Sequence, residues 1–155
     1  MAGRIDAKLQ ELGITLPTPM APIANYVPAV ITGNLVIVSG QLPAIDGKLA
    51  FTGKVPIDLS IAQGAAATRQ SFINVLVHLK AACNGDLDRV KRIVRLGGFV
   101  ACPASFTQHA TVMNGASDLA VAIFGDAGRH ARTTIGVPSL PLDAAVEVEG
   151  MFEIT

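Results

Sequence analysis

Two carboxylates and one guanidinium in the C-terminal part of the chain are the side chains best suited to chemistry. Glu147 and Glu149 alternate with Val146 and Val148. Strand residues two apart share a face, so both carboxylates point one way and both valines the other. If the valines face a core, the glutamates face solvent or a cleft. Arg132 opens the extended run just before them. A guanidinium near a carboxylate can grip a small organic anion and position a water, because arginine offers a planar fork of donors and glutamate an acceptor. The ordinary outcome of such spacing is a cross-strand ion pair on a wet sheet face, and spacing alone favours it.

These groups sit on two extended runs, residues 133–137 and 144–152, joined by a 138–143 linker whose two prolines exclude helix. Upstream, residues 4–12 read as a short amphipathic helix with Ile5, Leu9 and Leu12 on one face and Gly13 as its stop. A Pro-rich segment over 15–24 should wrap rather than pack. Runs 26–32 and 35–41 flank Gly33-Asn34, a two-residue hairpin connection, and Asp46-Gly47 turns into a short run over 48–52. Ser60 and Gln63 form a capping box ahead of a helix striped by Ala62, Ala65, Ala66, Phe72, Ile73, Leu76, Leu79 and Cys83. Residues 88–101 read as a strand, with Gly97-Gly98 suggesting a bulge or break. Thr107 can cap a second helix, in which Val112, Ala116, Leu119, Ala120 and Ile123 form the buried stripe and Gly125 the stop. Helices gathered on one face of a mixed sheet, an α+β layer fold, would bury all these stripes together.

The 155 residues suit one domain able to bury about 68 to 70% of its unfolded surface. Half of them are apolar and only 15% are charged, against about 25% in an ordinary soluble domain. The apolar surplus predicts a homo-oligomer. Zero net charge advertises neither a nucleic-acid nor an acidic-membrane partner. The charge-free stretch over 14–45 is broken by Pro17, Pro19, Pro22, Pro28, Gly33 and Gly40, too often for a membrane helix. With no apolar signal segment over residues 1–13, the expected location is the cytoplasm.

There is no Gly-rich phosphate loop, no CxxC and no HExxH. His78, His109 and His130 lack companions at ligand spacing and read as surface or helix-end residues rather than metal ligands. Cys83 and Cys102 lie far apart and read as small core residues. The basic run Arg89, Lys91, Arg92 and Arg95 reads as a solvated strand edge.

Taken together, several motifs resemble the YjgF/RidA family of reactive-intermediate deaminases, also labelled endoribonuclease L-PSP. They are Asn25-Tyr26, the Gly33-Asn34 hairpin running to Ser39-Gly40-Gln41, Phe72-Ile-Asn74-Val, Asn114, Ala131-Arg132 with Leu140-Pro141, and Val146-Glu147-Val-Glu149. The resemblance extends from about Pro22 to the C-terminus, leaving residues 1–21 as an N-terminal helical extension of a single 1–155 domain. It implies a homotrimer with a ligand cleft at each of three subunit interfaces. It also implies hydrolysis of short 2-imino acids, or their enamine tautomers, to 2-keto acids and ammonia without metal or organic cofactor. Carried over by position, Arg132 would hold the substrate carboxylate and Glu147 would orient the attacking water or shuttle its proton. Tyr26, Ser39, Gly40, Asn114 and Thr134 would border the substrate. Thr134 stands where a cysteine is common in the family, which argues against thiol chemistry, and Asn25 where many members have proline. Two other readings are a trimeric binder of keto acids or similar carboxylates without turnover and, more weakly, an endoribonuclease.

Overall fold

The computed structural model describes residues 3–19 and 24–155. Residues 20–23, part of the segment expected to wrap, and the first two residues of the extension lie outside the described residues. The frame is a five-stranded mixed sheet with two long helices on one face, the α+β layer arrangement that the stripes demand.

The first helix, α1 (Arg4–Glu11), buries Ile5 and Leu9 against the core and ends at Gly13 with φ 69°. Its exposed N–H groups have no cap of their own. The Asp88 carboxylate supplies one from far along the chain, accepting from Arg4 N at 2.7 Å and Ile5 N at 2.8 Å. Those backbone bonds, the one from Ile5 foremost, hold the Asp88 carboxyl below its ordinary range.

Strands β1 (Ala29–Thr32) and β2 (Leu35–Gln41) form the expected hairpin around Gly33-Asn34. The extended run starts three residues later than its composition suggested, because Pro28 lacks the N–H a ladder needs. A small hairpin follows, β3 (Ala44–Ile45) and β4 (Lys48–Leu49), turning at Asp46 and Gly47, both at positive φ.

Helix α2 (Ile61–Ala82) starts at the Ser60–Gln63 capping box, both halves of which are formed. Its buried face is turned from the expected one. Ala62 and Ala66 are exposed, while Gly64, Ala67 and Thr68 are buried. The reason is a close approach to α3 (His109–Phe124). A Cβ on Gly115 would strike the Ala65 carbonyl, and the Thr68 hydroxyl donates to Val112 O at 2.7 Å. Thr107 does not cap α3. The cap position is Gln108, without a side-chain bond, while Gly125 ends the helix as expected.

Strand β5 (Val90–Ala101) lies inside the sheet, so its basic residues line a central strand rather than an edge. Residues Leu87–Arg89 form a 3-10 turn instead of its first strand residues. Gly97-Gly98 makes no bulge, since the register with the last strand runs through it. The glycines serve close packing instead. A Cβ on Gly97 would sit 2.6 Å from Glu149 Oε1, and one on Gly98 would sit 2.5 Å from Met113 Sδ. The parallel edge strand β6 (Ala131–Val137) follows α3, and β7 (Val146–Ile154) returns between β2 and β5, giving the order β1-β2-β7-β5-β6. Between β6 and β7, Pro141–Asp143 makes one 3-10 turn, with proline in the first turn where its missing N–H costs nothing.

Phe72, Leu76, Leu79, Ile93, Leu96, Met113, Val148 and Phe152 share the main core between sheet and helices. Cys83 and Cys102 are buried and unbonded to each other, as small core residues. Among the described residues no helix is long and apolar enough to cross a membrane.

Candidate functional site

Register decides which site residues can meet. Arg132 pairs with Leu96 on β5, and Glu147 pairs with Phe99 on the same strand. Leu96 and Phe99 are three residues apart and point to opposite faces, and paired residues share a face. Arg132 therefore lies on the helix side of the sheet and Glu147 on the open side. Within one chain the two cannot form the cross-strand ion pair that their spacing favoured.

On the helix side, Arg132 reaches across to α3. One guanidinium nitrogen, Nη1, donates to Asn114 Oδ1 at 2.9 Å and Ser117 Oγ at 3.0 Å, and Nη2 donates to Ala110 O at 3.3 Å. All three acceptors are neutral, and among the described residues no carboxylate lies within ion-pair distance of the guanidinium. Nε–H and one Nη2 hydrogen remain for a guest. A further layer steadies the arrangement. His130 Nδ1 lies 2.6 Å from Gly128 O and must carry the proton there, which leaves Nε2 to accept the Ser117 hydroxyl at 2.9 Å. Thr134 shares the Arg132 face, but its hydroxyl is buried without a partner near Met113.

On the open side, no cation lies within ion-pair distance of Glu147 among the described residues. Arg95 is taken by Glu149 at 3.4 Å and Lys91 by Glu153 at 2.9 Å, so the bland ion-pair reading applies to those acids and not to Glu147. Burial first, and the Glu149 charge second, push the Glu147 carboxyl above its ordinary range. It lies against Gly40, where any Cβ would collide with it. Gly40 lies within the register shift of β2 between Val38 and Gln41. Next to it, Ser39 donates its hydroxyl to Val27 O at 2.9 Å and so fastens the segment carrying Tyr26, which is 48% exposed. The structure thus makes two groups, Arg132 with Asn114 and Thr134, and Glu147 with Gly40, Ser39 and the Tyr26 segment.

Beside these charges the open face also carries exposed apolar side chains. Ile37 beside Met151 and Ile135 beside Phe99 project from it, with Ile37 40% and Ile135 48% exposed. No group of three or more His, Cys, Asp or Glu side chains converges among the described residues to offer a metal its ligands.

The family model for YjgF/chorismate mutase-like endoribonucleases matches residues 6–154. The chain belongs to the YjgF/chorismate mutase-like family. It is 47% identical over 154 residues to protein TCP17 of Trypanosoma cruzi, covering 99% of this chain and 96% of that one. It is 33% identical over 142 residues to the 2-iminobutanoate/2-iminopropanoate deaminase of Escherichia coli K12, covering 88% and 94%. Among solved structures, protein Atu1372 of unknown function from Agrobacterium tumefaciens superposes with a TM-score of 0.92 at 45% identity, over 98% of this chain and 93% of that one. The YjgF-like fold expected from the motifs is therefore the fold observed.

Sequence reasoning missed Ser117 and His130 as partners of this YjgF-like site. A signal was present, since Ala110, Asn114 and Ser117 recur at helical spacing and put three acceptors on one face of α3. His130 reads as a helix border until β6 turns it toward that face. His78, expected at the surface, is instead buried at 6% exposure, because α2 packs its second half into the core.

Proposed function

We propose that the chain is a hydrolase that converts short 2-imino acids, or their enamine tautomers, to 2-keto acids and ammonia, working as a homotrimer. One observation carries the reading. The same chain holds a guanidinium with no anion on one face of its sheet and a half-buried carboxylate with no cation on the other. Each lacks what the other provides, and only another copy can bring them together. The two patches differ and face opposite ways, so the contact is head-to-tail, and the smallest ring that closes such contacts has three members. Exposed Ile37 and Ile135, with the half-buried Phe99, supply apolar area for it.

In the shared cleft Arg132 takes the substrate carboxylate through its free donors. Glu147 of the adjoining copy removes a proton from water as the oxygen adds to the imine carbon. That proton passes to the imine nitrogen to complete the carbinolamine; Glu147 then carries the carbinolamine hydroxyl proton to the nitrogen, the C–N bond breaks as C=O forms, and ammonia and the keto acid leave. An imine is already electrophilic, so placing the water and stabilising the developing charge are enough. A carboxyl raised toward working pH is a better base for this step than an ordinary one. The 2-iminobutanoate/2-iminopropanoate deaminase among the relatives supports this substrate class.

Mixing provides the test. Arg132→Ala and Glu147→Gln chains, each impaired alone, are unfolded together, refolded and assayed for keto-acid release from 2-iminobutanoate above the level of either variant. Random assembly leaves about a quarter of the clefts with both native groups, so about a quarter of wild-type activity returns. No rescue in a mixed assembly of correct size refutes the shared site. Unchanged release by the wild-type chain alongside keto-acid binding identifies a binder instead.

A further inference from the structure

At the far end of the seam between β6 and α3, beyond Arg132 and Thr134, two side chains that the imine site does not use face each other. Cys102, just past the end of β5, is 7% exposed, and its Sγ lies 3.7 Å from Nε2 of the half-buried His109 at the start of α3. Phe106 packs edge-on against the His109 ring, with centroids 5.2 Å apart, and holds it in place. The third member is Gly136, exposed on the edge strand β6. Its backbone is one that alanine adopts, but a Cβ there would fall 2.6 Å from Cys102 Sγ and 2.7 Å from His109 Nε2. The glycine therefore leaves a notch that opens both atoms to solvent.

Such a pair is by default a thiol–imidazole hydrogen bond, but its dimensions suit another occupant. A metal with sulfur at about 2.3 Å and imidazole nitrogen at about 2.0 to 2.1 Å separates the two by about 3.6 Å at a tetrahedral angle and about 3.8 Å at a trigonal one. The observed 3.7 Å falls between them. We propose that Cys102 and His109 form a binding site for a soft monovalent metal ion, Cu(I) in class, entered through the notch over Gly136. Softness and charge set the class. Thiolate with imidazole suits Cu(I) and Zn(II) rather than hard cations that seek oxygen. Among the described residues no third His, Cys, Asp or Glu joins the pair, whereas an enclosed zinc site takes four ligands. Burial raises the Cys102 thiol, while a backbone bond with Val137 and then the Lys54 charge pull it down. A thiolate neutralises a monovalent ion, but a divalent one keeps a net charge beside Lys54. The ion takes the place of the thiol proton, which passes to water, and its oxidation state does not change.

The test adds Cu(I), without oxygen, to the assembled wild-type protein in competition with a coloured Cu(I) chelator, and Zn(II) in competition with a zinc indicator. One Cu(I) per chain should leave the chelator, and Zn(II) should bind more weakly. Cys102→Ser, His109→Ala and Gly136→Ala should each weaken Cu(I) binding at least about tenfold, since losing even a group that only supports a ligand costs that much. Cys83→Ala should not change it. Gly136→Ala keeps both ligands and fills only the notch, so it serves where a ligand variant fails to fold. No uptake by the wild-type chain, binding unchanged in Cys102→Ser, His109→Ala or Gly136→Ala, binding lost in Cys83→Ala, or tighter binding of Zn(II) would each overturn the proposal. None of these readouts is imine hydrolysis, so this site and the deaminase reading fail separately.

Discussion

Replacing Arg132 with alanine removes a guanidinium whose hydrogen-bond partners are all neutral. Its Nη1 and one Nη2 hydrogen are spent on Asn114, Ser117 and Ala110, leaving Nε–H and the second Nη2 hydrogen for a substrate carboxylate. Two charge-assisted bonds at about 1.5 to 3 kcal/mol each come to about 3 to 6 kcal/mol. Water filling the vacated space recovers part of that, so the expected loss in kcat/KM is at least about tenfold and up to about a thousandfold. Asn114, Ser117 and Ala110 sit where water can replace the lost donor, so the fold should lose no more than about 1 kcal/mol. The assay generates 2-iminobutanoate in place with an amino-acid oxidase and follows keto-acid release above the spontaneous rate, while light scattering confirms the assembly. Arg132→Lys keeps the charge but not the fork and should recover only part of the rate. Undiminished turnover by an assembled Arg132→Ala protein would refute the assignment of the carboxylate to this residue.

Four other changes probe the site and the frame around it. Because burial and Glu149 both raise the Glu147 carboxyl, the acid limb of activity should lie above the ordinary 4.5, and Glu149→Gln should move it to lower pH; a limb that stays put excludes Glu147 as the base. The linked stability has the opposite sense. The fold favours the protonated Glu147, so its contribution is complete below pH 4.5 and lost as pH rises through the folded value, and Glu147→Gln should gain Tm over wild type at pH 7 but not at pH 4. Ser117→Ala should cost about two- to tenfold in kcat/KM through misplacement of Arg132, chiefly in KM, with Ser117→Thr restoring it; an unchanged KM would make the hydroxyl irrelevant. Asp88→Ala should lower stability by about 1 kcal/mol and expose the α1 amides to hydrogen exchange without changing the rate of imine hydrolysis.

Local chemistry was readable in the chain wherever neighbours in sequence decide the outcome. The Ser60–Gln63 box, the Gly33-Asn34 hairpin and the alternation of Glu147 with its valines are written in short spacings, and all three are present. Spacing failed where distant packing decides. The small residues of α2 face α3 rather than the direction the alanine count suggested, and Gly97-Gly98 makes room for Glu149 and Met113 instead of bending β5. Most consequential is the placing of Arg132 and Glu147 on opposite faces. It follows from β5 standing between β6 and β7, a strand order that no stretch of either strand encodes. The neutral cradle around Arg132 draws on three turns of one helix and a histidine beyond its end, so only the first part of it was open to inspection.

Gly40 has a backbone that alanine can adopt, since nothing left-handed is asked of it. What the position withholds is space, because a single methyl group would evict the Glu147 carboxyl while leaving the guanidinium on the far face untouched. On the proposed reading, a lineage built on this scaffold passes from catalyst to carrier by one codon change. Among its descendants, the residue after the β2 serine should tell which trade each follows.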